Sequence, residues 1–326
     1  MTLVATLVAD PARFPLDHRL LAEARIFLGG GAIRVLAEAA AIDIDIDIDI
    51  AGAGAAARPA LGEVAGATIP TPAAANGDRA HRRDLAEALR ARLAAPIDVA
   101  VQPAAGRRKR LLVADMDSTM IGEECIDELA GVLGLKEKVA AITEQAMRGE
   151  IAFEGALRER VALLAGIDTA VIDRLLADTI RLTPGARTLV QTMRRHGAHT
   201  ALVSGGFTAF AGPVAARLGI DEVRANTLAI AGGRLTGRVV EPILGAGAKR
   251  DRLEALTREL RLARTETLAV GDGANDLAML AAAGRGVAFH AKPTVAAAAD
   301  ARIDHGDLTA LLYYQGYRAS EFVHDS

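Results

Sequence analysis

Asp115 and Asp117 stand one residue apart in Asp115-Met116-Asp117-Ser118-Thr119, directly after the apolar run Leu111-Leu112-Val113-Ala114. A strand turns alternate side chains to the same face, so continuing it would carry both carboxylates into the interior at heavy cost. The run therefore predicts a buried strand ending at Ala114, and then a loop that gathers both acids at the strand's carboxyl edge. Open α/β sheets place their ligands at that edge. Two acids held close must shift each other's pKa or share a cation. Taken alone, the segment is equally compatible with a polar turn, where Asp and Ser are common.

Distant segments supply further chemistry at further strand ends. Residues 200–203 read as a second buried strand, ending in Ser204-Gly205-Gly206. Residues 267–270 read as a third, followed by Gly271-Asp272-Gly273-Ala274-Asn275-Asp276 and an apolar helix. Between them, Lys249 precedes a helical stretch over 253–262. In a parallel sheet the three strand ends meet at one crevice. An acid pair, a hydroxyl beside glycines, a lysine and a second acid pair would then share it.

In this order the segments resemble the haloacid dehalogenase (HAD) superfamily of phosphatases, whose motifs are an Asp-x-Asp-x-Thr loop, a Ser/Thr, a Lys and a Gly-Asp-x-x-x-Asp loop. The stretch from Asp115 to Asp127 (DMDSTMIGEECID), with Phe153-Glu154-Gly155-Ala156-Leu157-Arg158-Glu159-Arg160-Val161, is similar to the phosphoserine phosphatase family within it. The resemblance covers residues 110–320 and leaves the first hundred residues unassigned. It implies a HAD-like Rossmannoid parallel sheet with a helical cap, acting on O-phospho-L-serine. A phosphatase or phosphotransferase for another small phosphorylated metabolite is the alternative. A receiver-type signalling domain shares phospho-aspartate, a Ser/Thr and a Lys; the second acid and the cap argue instead for turnover.

Residue roles follow from the resemblance. Asp115 would be the nucleophile and Asp117 the general acid/base, which requires it to hold a proton near neutral pH. Ser204, Gly205 and Lys249 would bind the phosphoryl oxygens. Mg²⁺ would be held by the Asp115 carboxylate, the Asp117 main-chain carbonyl and Asp272, with Asp276 supporting Lys249 or a metal-bound water. Glu124 would pair with the substrate ammonium and Arg160 with its carboxylate. Asn275 would be a helix N-cap, a substrate contact, or both. Met116 and Phe153 are expected to pack.

Composition narrows the field independently. At 326 residues two domains are the prior, and 51% hydrophobic with 24% charged residues is globular. Aromatic residues make up 3%, with no Trp, so the core must be aliphatic. A net charge of −3 argues against a nucleic-acid partner. A single cysteine, Cys125, leaves no intrachain disulfide and suits a reducing compartment, so the chain is read as cytoplasmic, with Cys125 a small buried residue. The uncharged stretch 197–216 is broken by Ser204, Gly205, Gly206 and Pro213, and reads as strand, turn and helix start with no membrane span.

Before the catalytic strand, residues 2–8 read as a strand and 16–28 as a helix. Residues 42–50 form an alternating Ile/Asp strand whose acidic side is taken as a solvated edge or outer face. Residues 51–77 read as a long loop, 78–93 as a helix and 97–101 as a strand. These elements are taken to belong to a ferredoxin-like, ACT-like α+β module, whose order is strand–helix–strand–strand–helix–strand. By analogy it would regulate the enzyme or pair two copies into a homodimer. The boundaries expected are 1–104 for this module and 105–326 for the phosphatase domain, with a cap near 122–181. Arg107-Arg108-Lys109-Arg110 reads as a solvated linker.

Overall fold

Short aliphatic strands divide the chain between two sheets. A computed structural model describes residues 2–46, 79–147, 150–245 and 247–324. The first sheet contains β1 (Leu3–Val8), β2 (Ile33–Ala37), β3 (Ala41–Ile46) and β4 (Asp98–Pro103), interleaved with α1 (His18–Phe27) and α2 (Arg79–Leu93). Its order is β2-β3-β1-β4 with antiparallel pairing throughout, a ferredoxin-like arrangement. Leu3, Leu7, Ile42, Ile44 and Ile46 alternate onto one face and pack beneath Phe27, Leu85 and Leu89 of the two helices. Asp17 opens α1 by accepting the Leu20 amide at 2.8 Å. The last four residues of the 42–50 strand reading, the loop reading of 51–77, and residue 78 of the helix reading lie outside the described residues.

The acidic side of β3 is not a solvated edge. β3 lies inside the sheet between β2 and β1. Asp43 is 1% exposed and accepts hydrogen bonds from Thr6 (2.7 Å) and from Arg107 Nη1 (2.6 Å) and Nη2 (2.9 Å). Nor is the basic run a solvated linker. Arg107 also donates to the carbonyls of Tyr313 and Tyr314, Arg108 lies 4.1 Å over the Tyr317 ring, and Lys109 donates to the Thr265 carbonyl. The reason is topological: the run passes between the two sheets, where a buried carboxylate and unpaired helix-end carbonyls await donors. Asp98 of β4 completes the joint by accepting amides of Asp304 and Gly306, both at 2.7 Å.

The second sheet has the order β11-β10-β9-β5-β6-β7-β8. Its strands are β5 (Leu111–Ala114), β6 (His199–Phe207), β7 (Glu222–Ala231), β8 (Arg234–Val240), β9 (Thr267–Gly271), β10 (Arg285–Phe289) and β11 (Ala301–Ile303). β5 is central, with Ala114 level with Leu202 of β6 and Val270 of β9. Successive residues of these strands enter different cores. Leu112, Ala114, Leu202 and Val270 face one layer of helices, and Leu111, Val113, Ala201, Val203 and Ala269 face the other. Burial on both faces explains why these strands read as continuous apolar runs.

The first helical layer includes α7 (Ala186–Arg195), α8 (Thr208–Leu218) and α12 (Ala310–Tyr314); the second includes α9 (Ala248–Glu259), α10 (Leu277–Ala282) and α11 (Pro293–Ala298). Between β5 and α7 stand α3 (Cys125–Val132), α4 (Lys136–Met147), α5 (Phe153–Ala162) and α6 (Ala170–Asp178). Among the described residues no helix is long and apolar enough to cross a membrane.

Three local expectations need correction. The sheet is not wholly parallel: β8 returns antiparallel to β7 through Gly232 and Gly233, both at positive φ. This hairpin reaches the inserted helices, with Gly166 and Leu235 in backbone hydrogen bonding and Arg234 donating to the Gly166 carbonyl. The turn expected after residue 203 is not one: β6 runs on to Phe207 and α8 follows directly, continuing through Pro213 at the loss of one internal hydrogen bond because its buried apolar face holds it on the core. Finally, α9 begins at Ala248, which puts Lys249 in its first turn.

The Arg107–Asp43 pair yields the first prediction. Arg107→Ala should lower the free energy of unfolding by about 3–5 kcal/mol, because it leaves Asp43 buried without its cation. Arg107→Met combined with Asp43→Asn should recover a large part of that loss in urea titrations. Additive losses in the double variant would contradict the pairing.

Candidate active site

The end of β5 sets the geometry. The Asp115 amide donates to the Val270 carbonyl at 3.0 Å, so the chain stays in the sheet until the first acid is placed. It then curls: the amides of Thr119, Met120 and Ile121 all return to the Met116 carbonyl, with Ser118 at φ +52°. The curl sends the two acids to different partners. Asp115 is 5% exposed, and its Oδ2 lies 2.7 Å from Lys249 Nζ. Asp117 accepts the Cys125 amide at 2.9 Å through Oδ1 and the Ser204 hydroxyl at 3.3 Å through Oδ2.

Lys249 Nζ also lies 2.6 Å from Asp276 Oδ1, so one buried ammonium bridges two acids. Asp276 is fully buried and takes the Gly273 amide on its other oxygen. Asp272 accepts the Thr119 hydroxyl at 3.1 Å. One carboxylate oxygen from each of Asp115, Asp272 and Asp276 falls within 4.8 Å of the others. This hard, all-oxygen donor set suits a divalent cation. The Asp117 carboxylate points away from the trio, toward Cys125 and Ser204.

The charges do not balance. Burial, reinforced by the Asp115 charge, pushes Asp117 up to about 6 and Asp276 up to about 7. Asp272 rises to about 6 through burial and the charges of Asp115 and Glu124. Glu124 rises to about 7 through desolvation and repulsion from Asp117. Lys249 is lifted, since Asp115 and Asp276 outweigh the burial that opposes its charge. Several acids around one ammonium leave an excess of negative charge, which a cation would relieve.

A narrow pocket opens over this cluster, lined by Phe153, Ser204, Gly205, Leu244, Lys249 and Asn275. Beside it the chain is tight at one glycine: a Cβ on Gly206 would come within 2.8 Å of Asp117 Oδ2, whereas one on Gly205 would make ordinary contact with the Phe153 ring at 3.4 Å. Glu124 precedes α3 without capping it, and its Oε1 accepts the Ser118 hydroxyl at 2.7 Å. Arg160, half-buried on α5, donates to Thr143 Oγ1 and to the Ala156 carbonyl. Among the described residues it forms no ion pair, although Asp127, Glu124 and Asp117 act on it electrostatically.

Asn275 is not a helix N-cap. It sits inside a 3₁₀ turn, Ala274–Asp276, which Gly273 precedes, and Asp276 precedes α10. Cys125 is buried, and enclosure together with Asp117 raises its thiol far above the ordinary range. Two residues escaped the sequence reading. Thr119 stands in the Asp-x-Asp-x-Thr motif and orients Asp272. Asn226, 2% exposed in β7, donates to the Gly205 carbonyl and accepts the Leu244 amide, and nothing in its neighbourhood in sequence signals this.

With the geometry established, relatives place the chain. Residues 112–281 match the haloacid dehalogenase-like hydrolase family. The phosphoserine phosphatase of Streptomyces coelicolor is 46% identical over 227 residues, which cover 69% of this chain and 55% of the relative. The chain thus spans little more than half the length of that relative. A structure described as a phospho-aspartyl intermediate analogue of phosphoserine phosphatase is 38% identical, covering 64% of this chain and 99% of its own, with a TM-score of 0.59. The unliganded probable phosphoserine phosphatase of Vibrio cholerae is 29% identical and covers 98% of this chain and 88% of its own, with a TM-score of 0.72. That likeness extends through the amino-terminal antiparallel sheet. The strand-edge acids, the bridging lysine and these relatives agree: the chain belongs to the haloacid dehalogenase-like hydrolases, and within them to the phosphoserine phosphatase family.

Proposed function

We propose that this protein hydrolyses O-phospho-L-serine to L-serine and phosphate through an aspartyl-phosphate intermediate, with Mg²⁺, as the closing step of serine biosynthesis. The observation that carries the proposal is the meeting of Asp115, Asp117, Lys249 and Asp272 beneath one pocket. Asp115 is the nucleophile. Its Oδ attacks phosphorus while the bond to the seryl oxygen breaks, and Asp117 delivers a proton to that oxygen. A carboxyl held up near 6 keeps enough of its proton at neutral pH for this task. Once serine leaves, Asp117 takes a proton from the water that attacks the acyl phosphate, and Asp115 is regenerated.

Lys249, the Ser204 hydroxyl and the amide at Gly205 hold the phosphoryl oxygens. Asp115, Asp272 and the Asp117 main-chain carbonyl, with Asp276 in support, would hold Mg²⁺, which when bound would supply neutralisation of charge on the transferred group. Glu124 receives the substrate ammonium. Arg160, which donates to two neutral partners and forms no ion pair among the described residues, grips the carboxylate. Phe153 covers the apolar side and limits water entry.

Residues 1–104 form an ACT-like regulatory or dimerisation domain in this reading, and 105–326 the phosphatase with its cap near 122–181. The βαββαβ order of the first sheet supports this division. One buried thiol and no disulfide suit a cytoplasmic protein.

The deciding assay is phosphate release from O-phospho-L-serine, compared with phosphothreonine and sugar phosphates, with and without an acceptor alcohol. Preference for another phosphate, or transfer to the alcohol, would overturn the substrate and reaction proposed. Chelation should abolish turnover and Mg²⁺ restore it; activity that survives exhaustive chelation would remove the metal from the scheme. Asp115→Asn should cut kcat by more than about a thousandfold and eliminate the acid-stable phosphoenzyme, since no other group can take the nucleophile's place. Arg160→Ala should raise KM for O-phospho-L-serine about 10- to 100-fold, the equivalent of one charge-assisted contact. The same variant should barely affect an aryl phosphate, and equal effects on both would refute the carboxylate role.

A further inference from the structure

Pairing between β6 and β7 skips at the active site. Val203 opposes Arg224, but the next matched pair is Phe207 with Asn226. Ser204, Gly205 and Gly206 therefore bulge from the ladder, and their backbone groups must find partners elsewhere. Asn226 Nδ2 donates to the Gly205 carbonyl at 2.9 Å, and Ser204 Oγ accepts the Gly206 amide at 2.8 Å. The second polar atom of the Asn226 side chain, Oδ1, accepts the Leu244 amide at 2.8 Å. One buried side chain thus ties together two walls of the pocket.

We infer that Asn226 is a positioning residue that locks the Gly205–Gly206 peptide with its N–H, and not its carbonyl, toward the phosphoryl site. In a trans peptide the carbonyl and the N–H point in opposite directions. Tethering the Gly205 carbonyl toward β7 turns the Gly206 N–H to Ser204 Oγ, to which it donates at 2.8 Å, and that hydroxyl in turn donates to Asp117 Oδ2 at 3.3 Å. Between two glycines little steric resistance opposes a flip of this unit. The flipped peptide would aim a carbonyl oxygen into a pocket already crowded with carboxylates and meant, on the reading above, for a phosphoryl group. Repulsion would replace a donor. The Leu244 contact adds a second task, since Leu244 lines the same pocket as Lys249 in the first turn of α9.

The roles of the two Asn226 atoms separate in Asn226→Asp, which keeps the shape and the acceptor for Leu244 but sets an oxygen against the Gly205 carbonyl. Calorimetry with inorganic phosphate and Mg²⁺ should show binding weakened tenfold or more, and kcat/KM for O-phospho-L-serine should fall about 100-fold, as when an oxyanion donor is lost. Inhibition by L-serine, which lacks the phosphoryl group, should hardly change. A folded Asn226→Asp protein that binds phosphate as tightly as the parent would overturn the inference. Should the variant not fold, NMR of the unaltered protein decides. The Asn226 side-chain amide protons should exchange slowly and the Gly206 amide should shift on phosphate addition; rapid exchange with no shift would overturn it. A parent that binds phosphate without hydrolysing phosphoserine would sink the substrate reading alone, whereas a parent that binds no phosphate would sink both.

Discussion

Lys249 places one ammonium between Asp115 and Asp276, with Asp117, Asp272 and Glu124 close by, and this imbalance governs the rest of the site. Bringing several carboxyls together at the edge of an apolar sheet is unfavourable, both because burial strips their water and because they repel. The acids remain in place because the strands beneath them are fixed by packing on both faces, and Asp115 and Asp272 directly follow the last residues of β5 and β9. The local hydrogen bonds then divide the work. Asp276 is held by the Gly273 amide, Asp272 by Thr119, and Asp117 by the Cys125 amide and Ser204. Each acid keeps its own orientation, which a shared divalent cation alone would not ensure.

The same logic extends to the helices that stand over the strand edge. They carry Glu124 and Arg160, and their position relative to the acids depends on the β7–β8 hairpin. Its backbone and Arg234 grip the turn after α5, and Arg158 on α5 reaches Glu241 just beyond β8. Gly237 permits this approach, because a Cβ there would lie 2.9 Å from the Ala165 side chain. The hairpin is therefore both the edge of the sheet and the brace for the overhanging helices. An antiparallel edge strand can do this because its outer side is not committed to a further strand.

What could be read from the sequence was whatever depends on local pattern. The apolar runs at 111–114, 200–203 and 267–270 predicted β5, β6 and β9, and the residue types that follow each run located the acids, the hydroxyl and the glycines. The alternation and the turn residues of the first hundred positions located β1, α1, β3, α2 and β4, whereas β2 (Ile33–Ala37) was not read as a strand. The antiparallel β8 was missed because Arg234-Leu235-Thr236-Gly237-Arg238 carries polar side chains on a half-exposed edge. The turn read after residue 203 is a bulge within β6, whose pairing resumes only at Phe207. Asn226 was invisible, since its value comes from a break in the ladder that only pairing reveals.

The largest misreading, that of Asp43 and Arg107, shows why charge is harder to read than hydrophobicity. An apolar residue is buried against whatever is nearby, so its pattern reports its environment directly. A charged residue is buried only if a matching partner arrives, and here the partners are 64 positions apart. Seen separately, an acidic alternation and a basic run both resemble solvated surface. Brought together, they satisfy Thr6 and two carbonyls at the end of α12 as well as each other. The first sheet also sets Val8, Leu36, Ala41 and Ala100 against the core that contains Leu308, Leu311 and Leu312. Apolar contact of this kind is non-directional and does not by itself define register or angle. The buried Arg107–Asp43 pair and the amides captured by Asp98 supply the direction that packing lacks, and so fix how the amino-terminal sheet sits on the catalytic one.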